Sequence, residues 1–484
     1  MTAKAPTKIN KYPIHLAIML IIMFFFRFIP PPGSVTPYGM AILGIFIGLI
    51  YGWTFINLLI PSLCGAVILA TTDYGTCTEV FVAMFSNSTV LMMLLGVLAF
   101  AMVQLSGAGD WLIATLLSAK IVKKSPIILL EIFLLIFFIG NNTGLVWFLY
   151  FALMPLMAEM FAKCGYEKGD KLVYFFYAGC LMAGQTGMCL FPFRGWSLMT
   201  AGTMMQLTQI PIPYNTYMGL MLILSLVEMI TLPLLMKLCR CDFSKLASVD
   251  IAAVFPATDK KITRQQKLAL LATVVFVAAV VITNMFASRL SVLNWLNTKL
   301  GVIGFMALLW IFVIACKADG KPILDMSKAA GAFQWDMLIL IAVALLISSA
   351  LTAQETGISG WMAGLLMPLF AGVSPIVFLF VLAITTIILT NLGNNIAVCF
   401  IMINLTCAMY NNGFPVNITA AALIISLSSV FVAYLTPAAS LPGALLHSNP
   451  ALTSASVYKG TCILMLYGAA LLMAVVIPFI LITG

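Results

Sequence analysis

Apolar runs of about 17 residues or more recur from one end of this 484-residue chain to the other. A hydrocarbon core about 30 Å thick is crossed by roughly 20 apolar residues in a helix. Backbone polar groups in lipid must be satisfied inside the segment, so such a chain folds as a helical bundle in a bilayer. Composition removes the alternative. The chain is 63% hydrophobic and 8% charged, with a mean hydropathy of +1.13. A soluble domain carries roughly 25% charged residues, because its surface faces water. Too little polar surface is left here to coat a globule.

The formal net charge is +9. The basic residues gather in short loops instead of forming a stripe with interleaved aromatics, which speaks for membrane orientation and against a nucleic-acid partner. Lys4, Lys8 and Lys11 precede the apolar run 14–29. No small-residue cleavage site follows that run, so it is expected to remain as the first transmembrane helix with its N-terminus in the cytoplasm. Further spans are expected at 37–53, 55–71 and 89–107, with an interfacial helix at 111–124. The loop 238–267 is strongly basic and is assigned to the cytoplasm. Spans at 216–236, 268–287, 301–316 and 336–351, an interfacial stretch at 358–366 and a last helix at 460–482 complete the plan, with the C-terminus outside. The expected membrane is the plasma, or inner, membrane. Eleven cysteines lie scattered without a CxxC pair, and the two histidines, His15 and His447, fall near predicted helix ends. Neither a metal cluster nor a histidine-based catalytic triad is expected, and no enzyme or cofactor is inferred.

Two kinds of irregularity interrupt this pattern, and each occurs twice. Residues 126–139 are apolar but too short to span, and a polar tip at Gly140-Asn141-Asn142-Thr143 leads into a returning arm. This predicts a re-entrant hairpin over 126–162. Its counterpart over 372–410 has the tip Thr390-Asn391-Leu392-Gly393-Asn394-Asn395. The segments 172–207 and 417–447 are too long for one helix. They contain Gly184, Gly187, Pro192, Arg194 and Gly195 in the first and Thr436, Pro437 and Pro442 in the second, which predicts helices broken at mid-membrane. Irregular backbone at that depth is tolerated only inside protein or beside a cavity. Asn142 and Asn395 lie 253 positions apart, and Pro192 and Pro437 lie 245 apart. The expected organisation is an N-terminal segment and first helix (1–36), a first inverted repeat (37–237), a basic loop (238–267) and a second repeat (268–484). The expected class is an all-α polytopic membrane protein with about 11 transmembrane helices and two re-entrant hairpins in inverted-topology repeats. Paired interrupted segments in two halves point to a transporter's substrate site. A lone cluster of this kind reads equally well as a helix kink.

At its two tips the sequence resembles the divalent anion:sodium symporter family, within the ion-transporter superfamily. That family carries Ser-Asn-Thr at each tip; the corresponding residues here are Asn141-Asn142-Thr143 and Asn394-Asn395-Ile396. Thr390 and Gly393 also match. The family's Thr-Pro step at each break is present as Thr436-Pro437, while the first is Phe191-Pro192. The resemblance implies sodium-coupled uptake of a di- or tricarboxylate, or of an inorganic anion such as sulfate, by a homodimer working as an elevator. It also admits sodium-independent exchange.

On that basis Asn142, Thr143, Arg194, Asn395, Thr436 and Pro437 are assigned to substrate. Asn141, Asn142 and Gly187 are assigned to one sodium site, and Thr390, Gly393, Asn394, Asn395 and the Leu435 backbone to the other. An asparagine amide both donates and accepts, so one side chain can face a cation and an anion. Half-helix N-termini favour a carboxylate. The plainer reading is that these asparagines cap helix ends. Ile396 and Phe191 each remove a hydroxyl from the family pattern. Arg194 either restores anion affinity or snorkels to the interface. Glu131 and Glu228 are buried acids that either carry a coupling proton or serve as hydrogen-bonded structural groups. A channel is the rival class, and stoichiometric coupling discriminates it.

Overall fold

Hydrophobic sequence of this length must close its own backbone hydrogen bonds, and it does so as helix. The computed structural model describes residues 12–117, 125–143, 149–248, 261–287, 289–318, 320–331, 335–370, 372–437 and 439–483. With 79% of the structure helical, the protein is an all-α integral membrane protein. The first helices are α1 (Tyr12–Phe25), α2 (Pro37–Phe55), α3 (Leu59–Leu69), α4 (Cys77–Phe85), α5 (Ser88–Leu105) and α6 (Ala108–Leu117). They are followed by α7 (Pro126–Thr143), α8 (Met154–Lys163), α9 (Lys171–Met188), α10 (Gly195–Thr208) and α11 (Tyr214–Leu238). Next come α12 (Arg264–Phe286), α13 (Ser291–Lys299), α14 (Gly301–Ala315), α15 (Met326–Gly331), α16 (Trp335–Thr352) and α17 (Ile358–Leu366). The last are α18 (Pro375–Leu392), α19 (Asn395–Asn411), α20 (Ile418–Ser428), α21 (Leu441–Ser448) and α22 (Ser454–Thr483).

Among the described residues seven helices are long and apolar enough to cross a bilayer: α2, α5, α11, α12, α16, α18 and α22. The pair α13 and α14, bent by 81° at the junction, makes an eighth if it is counted as one span. Gly301, at φ +55°, begins the second of the two and supplies the left-handed backbone that this bend uses. Two expected spans are shorter than their apolar runs. The run 14–29 holds a 14-residue helix that tightens into a 3₁₀ turn at Phe26–Phe28. The run 55–71 holds only the 11 residues of α3. Asn57 Oδ1 accepts the Ile60 amide at 2.9 Å ahead of that helix, and the Thr71 and Thr72 hydroxyls donate to carbonyls at its end. These local bonds trim a segment that hydropathy alone extends. The lysines at 4, 8 and 11 and residues 249–260 of the basic loop lie outside the described residues.

The chain forms two compact units. One comprises 1–90, 334–371 and 404–414. Within it Gly44, Gly48 and Gly52 recur every fourth residue on α2. A Cβ on Gly44 or Gly48 would strike Phe26 or Met23, and one on Gly52 would strike Pro61 and Met19. Such a small-residue stripe lets membrane helices approach closely. Trp53 Nε1 donates to the Ser62 hydroxyl at 3.0 Å, and Asn404 Nδ2 donates to the Ser348 hydroxyl at 2.9 Å. The second unit comprises 91–333, 372–403 and 415–484. In it α7 packs along α9, α10 packs on α20, α18 packs on α20, and α11 and α22 lie beside one another. This unit contains both interrupted helices and both tips.

Candidate functional site

The first interrupted helix runs as α9, breaks at 189–194 and resumes as α10. The second runs as α20, breaks at 429–440 and resumes as α21. Both breaks fall where the glycine and proline clusters predict them. The two breaks meet. Trp196 Nε1 donates to the Ser429 hydroxyl at 3.1 Å, the Thr200 and Ser426 hydroxyls share a hydrogen bond, and the Cys189 thiol reaches the Ser426 carbonyl at 3.8 Å. The end of α9, the start of α10 and the end of α20 therefore lie together in one buried region.

The first tip closes α7. Gly140 packs against Leu149, and Asn141 Nδ2 donates to the Tyr150 hydroxyl at 3.4 Å, so Leu149 and Tyr150 lie beside the tip. Asn142 Nδ2 donates to the Gly187 carbonyl at 3.1 Å, which docks the tip on the end of α9. Contact this close needs glycine. A Cβ on Gly187 would run into the Phe138 carbonyl, and one on Gly184 would run into the Asn141 amide. The Gly187 carbonyl also accepts the Leu190 amide at 3.2 Å, so both its lone pairs have donors. Asn141 Oδ1 and Gln185 Oε1 are buried and have no partner among the described residues. Arg194 stands at the junction into α10 in extended backbone, and its guanidinium donates to the Asn142 carbonyl. Its charge is thus held at the tip. The Thr143 side chain and residues 144–148 lie outside the described set.

The second tip is held by a residue to which sequence reasoning gave no role. Asn391, at the end of α18, donates Nδ2 to the Ile387 and Val432 carbonyls, both at 2.8 Å. Its Oδ1 accepts the amides of Tyr434 at 3.0 Å and Leu435 at 2.8 Å. Its own carbonyl accepts the Thr436 hydroxyl at 3.1 Å. All four side-chain bonding positions of the amide are filled. The separation of Asn142 from Gly187 is 45 residues, and that of Asn391 from Thr436 is also 45.

The other predicted residues distribute as follows. Thr390 is buried, and its hydroxyl has no partner among the described residues. Gly393 ends α18 in extended backbone. Asn394 Oδ1 accepts the amides of Ile396 at 2.9 Å and Ala397 at 3.3 Å, so this side chain caps α19, as the plainer reading has it. The Asn395 amide donates to the Ala439 carbonyl at 3.2 Å and ties α19 to the second break. The Leu435 carbonyl lies 3.1 Å from His447 Nε2, which also lies 3.2 Å from the Tyr434 carbonyl. Carbonyls only accept, so this nitrogen carries the ring hydrogen. Pro437 is exposed at the surface of the break. Ser440, also unassigned from sequence, caps α21 by accepting the Gly443 amide at 3.1 Å while donating to the Ala433 carbonyl at 2.6 Å.

Of the two acids, Glu131 is half-buried in α7, while Glu228 is buried in α11 with Oε2 2.5 Å from the Thr186 hydroxyl. Among the described residues no three His, Cys, Asp or Glu side chains come together, so a cation held at the tips would rest on amide, hydroxyl and carbonyl oxygens. No protein-family model matches this chain, and no curated protein matches it.

Proposed function

We propose that the protein is a secondary active transporter that carries a small anion, a di- or tricarboxylate or sulfate, together with sodium. The observation that carries this reading is the double docking: in one compact unit an asparagine at each tip is hydrogen-bonded to its own interrupted helix, 45 residues on in the first half and 41 to 45 residues on in the second, and the two breaks touch. A kinked membrane helix has no need of a partner tip. Two tips and two breaks gathered together make a midplane site of the kind discontinuous helices build, with N-terminal ends for an anion and C-terminal ends for cations.

On this reading α7 with the arm through α8, and α18 with α19, are re-entrant hairpins in two inverted repeats. With α18 set aside as a hairpin arm, each broken helix counted as one crossing, and the shorter α1 and α3 included, the membrane-crossing elements number about 11. Arg194 and the N-terminus of α10 face the anion from the first half, and Thr436 with the N-termini of α19 and α21 face it from the second. The cation role in the first half passes from the Gly187 carbonyl, whose lone pairs are engaged, to the buried oxygens of Asn141 and Gln185. In the second half Thr390 keeps that role. Alternating access by an elevator movement of the tip-bearing unit, in a homodimer with a cytoplasmic N-terminus, follows from the resemblance to the divalent anion:sodium symporters.

The test is reconstitution in liposomes with labelled succinate, citrate and sulfate, with and without an inward sodium gradient. Sodium-dependent accumulation of one of them is the expected result. Equilibration that never exceeds the external concentration under any ion gradient would make the protein a channel or facilitator and overturn the proposal.

A further inference from the structure

Glu228 lies in the middle of α11 and is 1% exposed. No ion pair reaches it among the described residues. Its immediate partner is the Thr186 hydroxyl, 2.5 Å from Oε2, and that same hydroxyl stands 3.0 Å from the Met182 carbonyl. A hydroxyl has one hydrogen, and a carbonyl can only accept. The arrangement that satisfies both contacts is a relay: the acid form of Glu228 donates from Oε2 to Thr186, and Thr186 donates to Met182. An ionised carboxylate would leave one contact unmade and hold an uncompensated charge among apolar helices.

Two further oxygens complete the setting. Glu228 Oε1 is buried without a partner among the described residues, and so is the Tyr434 hydroxyl. Tyr434 belongs to the second break and is within electrostatic reach of Glu228, Tyr150 and Tyr174. From α22, Tyr467 donates to the Glu228 backbone carbonyl at 3.3 Å and pairs with Thr231 at 2.7 Å. From α7 the titratable residue is Glu131, an electrostatic neighbour of Tyr467. From α9, Cys180 neighbours Tyr434. Helix α20 has no titratable residue, and the charged residues of α12, Arg264 and Lys267, sit in its first turn.

We propose that Glu228 is a proton-binding site of the transport cycle, holding one proton in this conformation and releasing it when the breaks rearrange. This rests on the transporter reading above and adds a coupling proton to it. On release the Oε2–H bond breaks and the proton passes to water. The Thr186 hydroxyl then turns from Met182 to donate to the carboxylate, and Tyr434 in the second break feels the new charge electrostatically. The Tyr434 amide is bound by Asn391 and its carbonyl by His447, so the charge state of Glu228 is transmitted to the second tip.

Infrared difference spectra of the purified protein between acidic and alkaline buffer test the site without requiring a substrate. A carboxylic-acid carbonyl band that titrates, disappears in Glu228→Gln and persists in Glu131→Gln is expected. The glutamine amide can donate to Thr186 as the acid does, so E228Q should fold, and its thermal unfolding in detergent checks this. In liposomes with equal sodium on both sides, an inward gradient of one pH unit should drive labelled succinate to as much as about tenfold accumulation per proton, and E228Q should lose that response. An acid band untouched by E228Q, or a pH-gradient response equal to wild type in E228Q, overturns the proposal. If wild type moves no succinate, citrate or sulfate, the transporter reading fails, and the infrared arm alone decides whether Glu228 holds an exchangeable proton.

Discussion

The two tips are built to the same plan and anchored with different strength. Among the described residues the first is tied to its break by the hydrogen bond from the Asn142 amide to a carbonyl that already has another donor, supplemented by the Arg194 guanidinium. The second rests on Asn391, which fills all its bonding positions with backbone of α18 and of the second break, with no charged group involved. The first tip is therefore positioned by charge and close packing, and the second by a saturated hydrogen-bond network. A network of that kind costs most when one member is removed, because its partners are left buried without water.

The contrast is sharpest at Asn391. Asn391→Ala should destabilise the protein by about 2–5 kcal/mol, since the Tyr434 and Leu435 amides lose their acceptor. Thermal or denaturant unfolding in detergent measures this, and a loss no larger than that of Asn142→Ala would erase the distinction between the tips. Gly187→Ala comes next, at about 1–3 kcal/mol, because the new methyl forces α7 away from α9 at the Phe138 carbonyl. If it unfolds at the wild-type temperature, the close approach is not structural. Asn142→Ala should cost only about 1 kcal/mol, as the Gly187 carbonyl keeps the Leu190 amide. It should nonetheless abolish uptake of the transported anion in liposomes, and normal uptake would remove Asn142 from the site. The smallest effect is expected at Asn394→Ala, about 0.5–1 kcal/mol for a lost helix cap, with transport retained. Abolished uptake in a folded N394A would return Asn394 to the cation site.

Much of this arrangement is written in the sequence as interruptions. Gly187, Pro192 and Pro437 break apolar runs that would otherwise continue, and the structure breaks both helices within a few residues of them. What stayed hidden is of two kinds. At the second tip four polar residues crowd into 390–395, and periodicity cannot say which of them turns toward the break; Asn391 does, Asn394 caps a helix instead. The short α3 and the bent α13–α14 pair were hidden because hydropathy registers burial in lipid or protein alike, whereas helix ends are set by local bonds such as those of Asn57 and Thr72. Glu228 was visible as an intramembrane acid, but its hydrogen count depends on Thr186, 42 positions away.

The crossing of the two breaks at Ser426, Ser429 and Trp196 ties the half-sites into one mechanical piece. Each tip is bonded to a break, and each break is bonded to the other half. On the transporter reading, whatever binds first alters the affinity of what binds second, and by linkage the influence is equal in both directions. Order of addition in such a molecule is a matter of rate alone. The serines at that crossing, small and uncharged, are where the two halves of the chain exchange free energy.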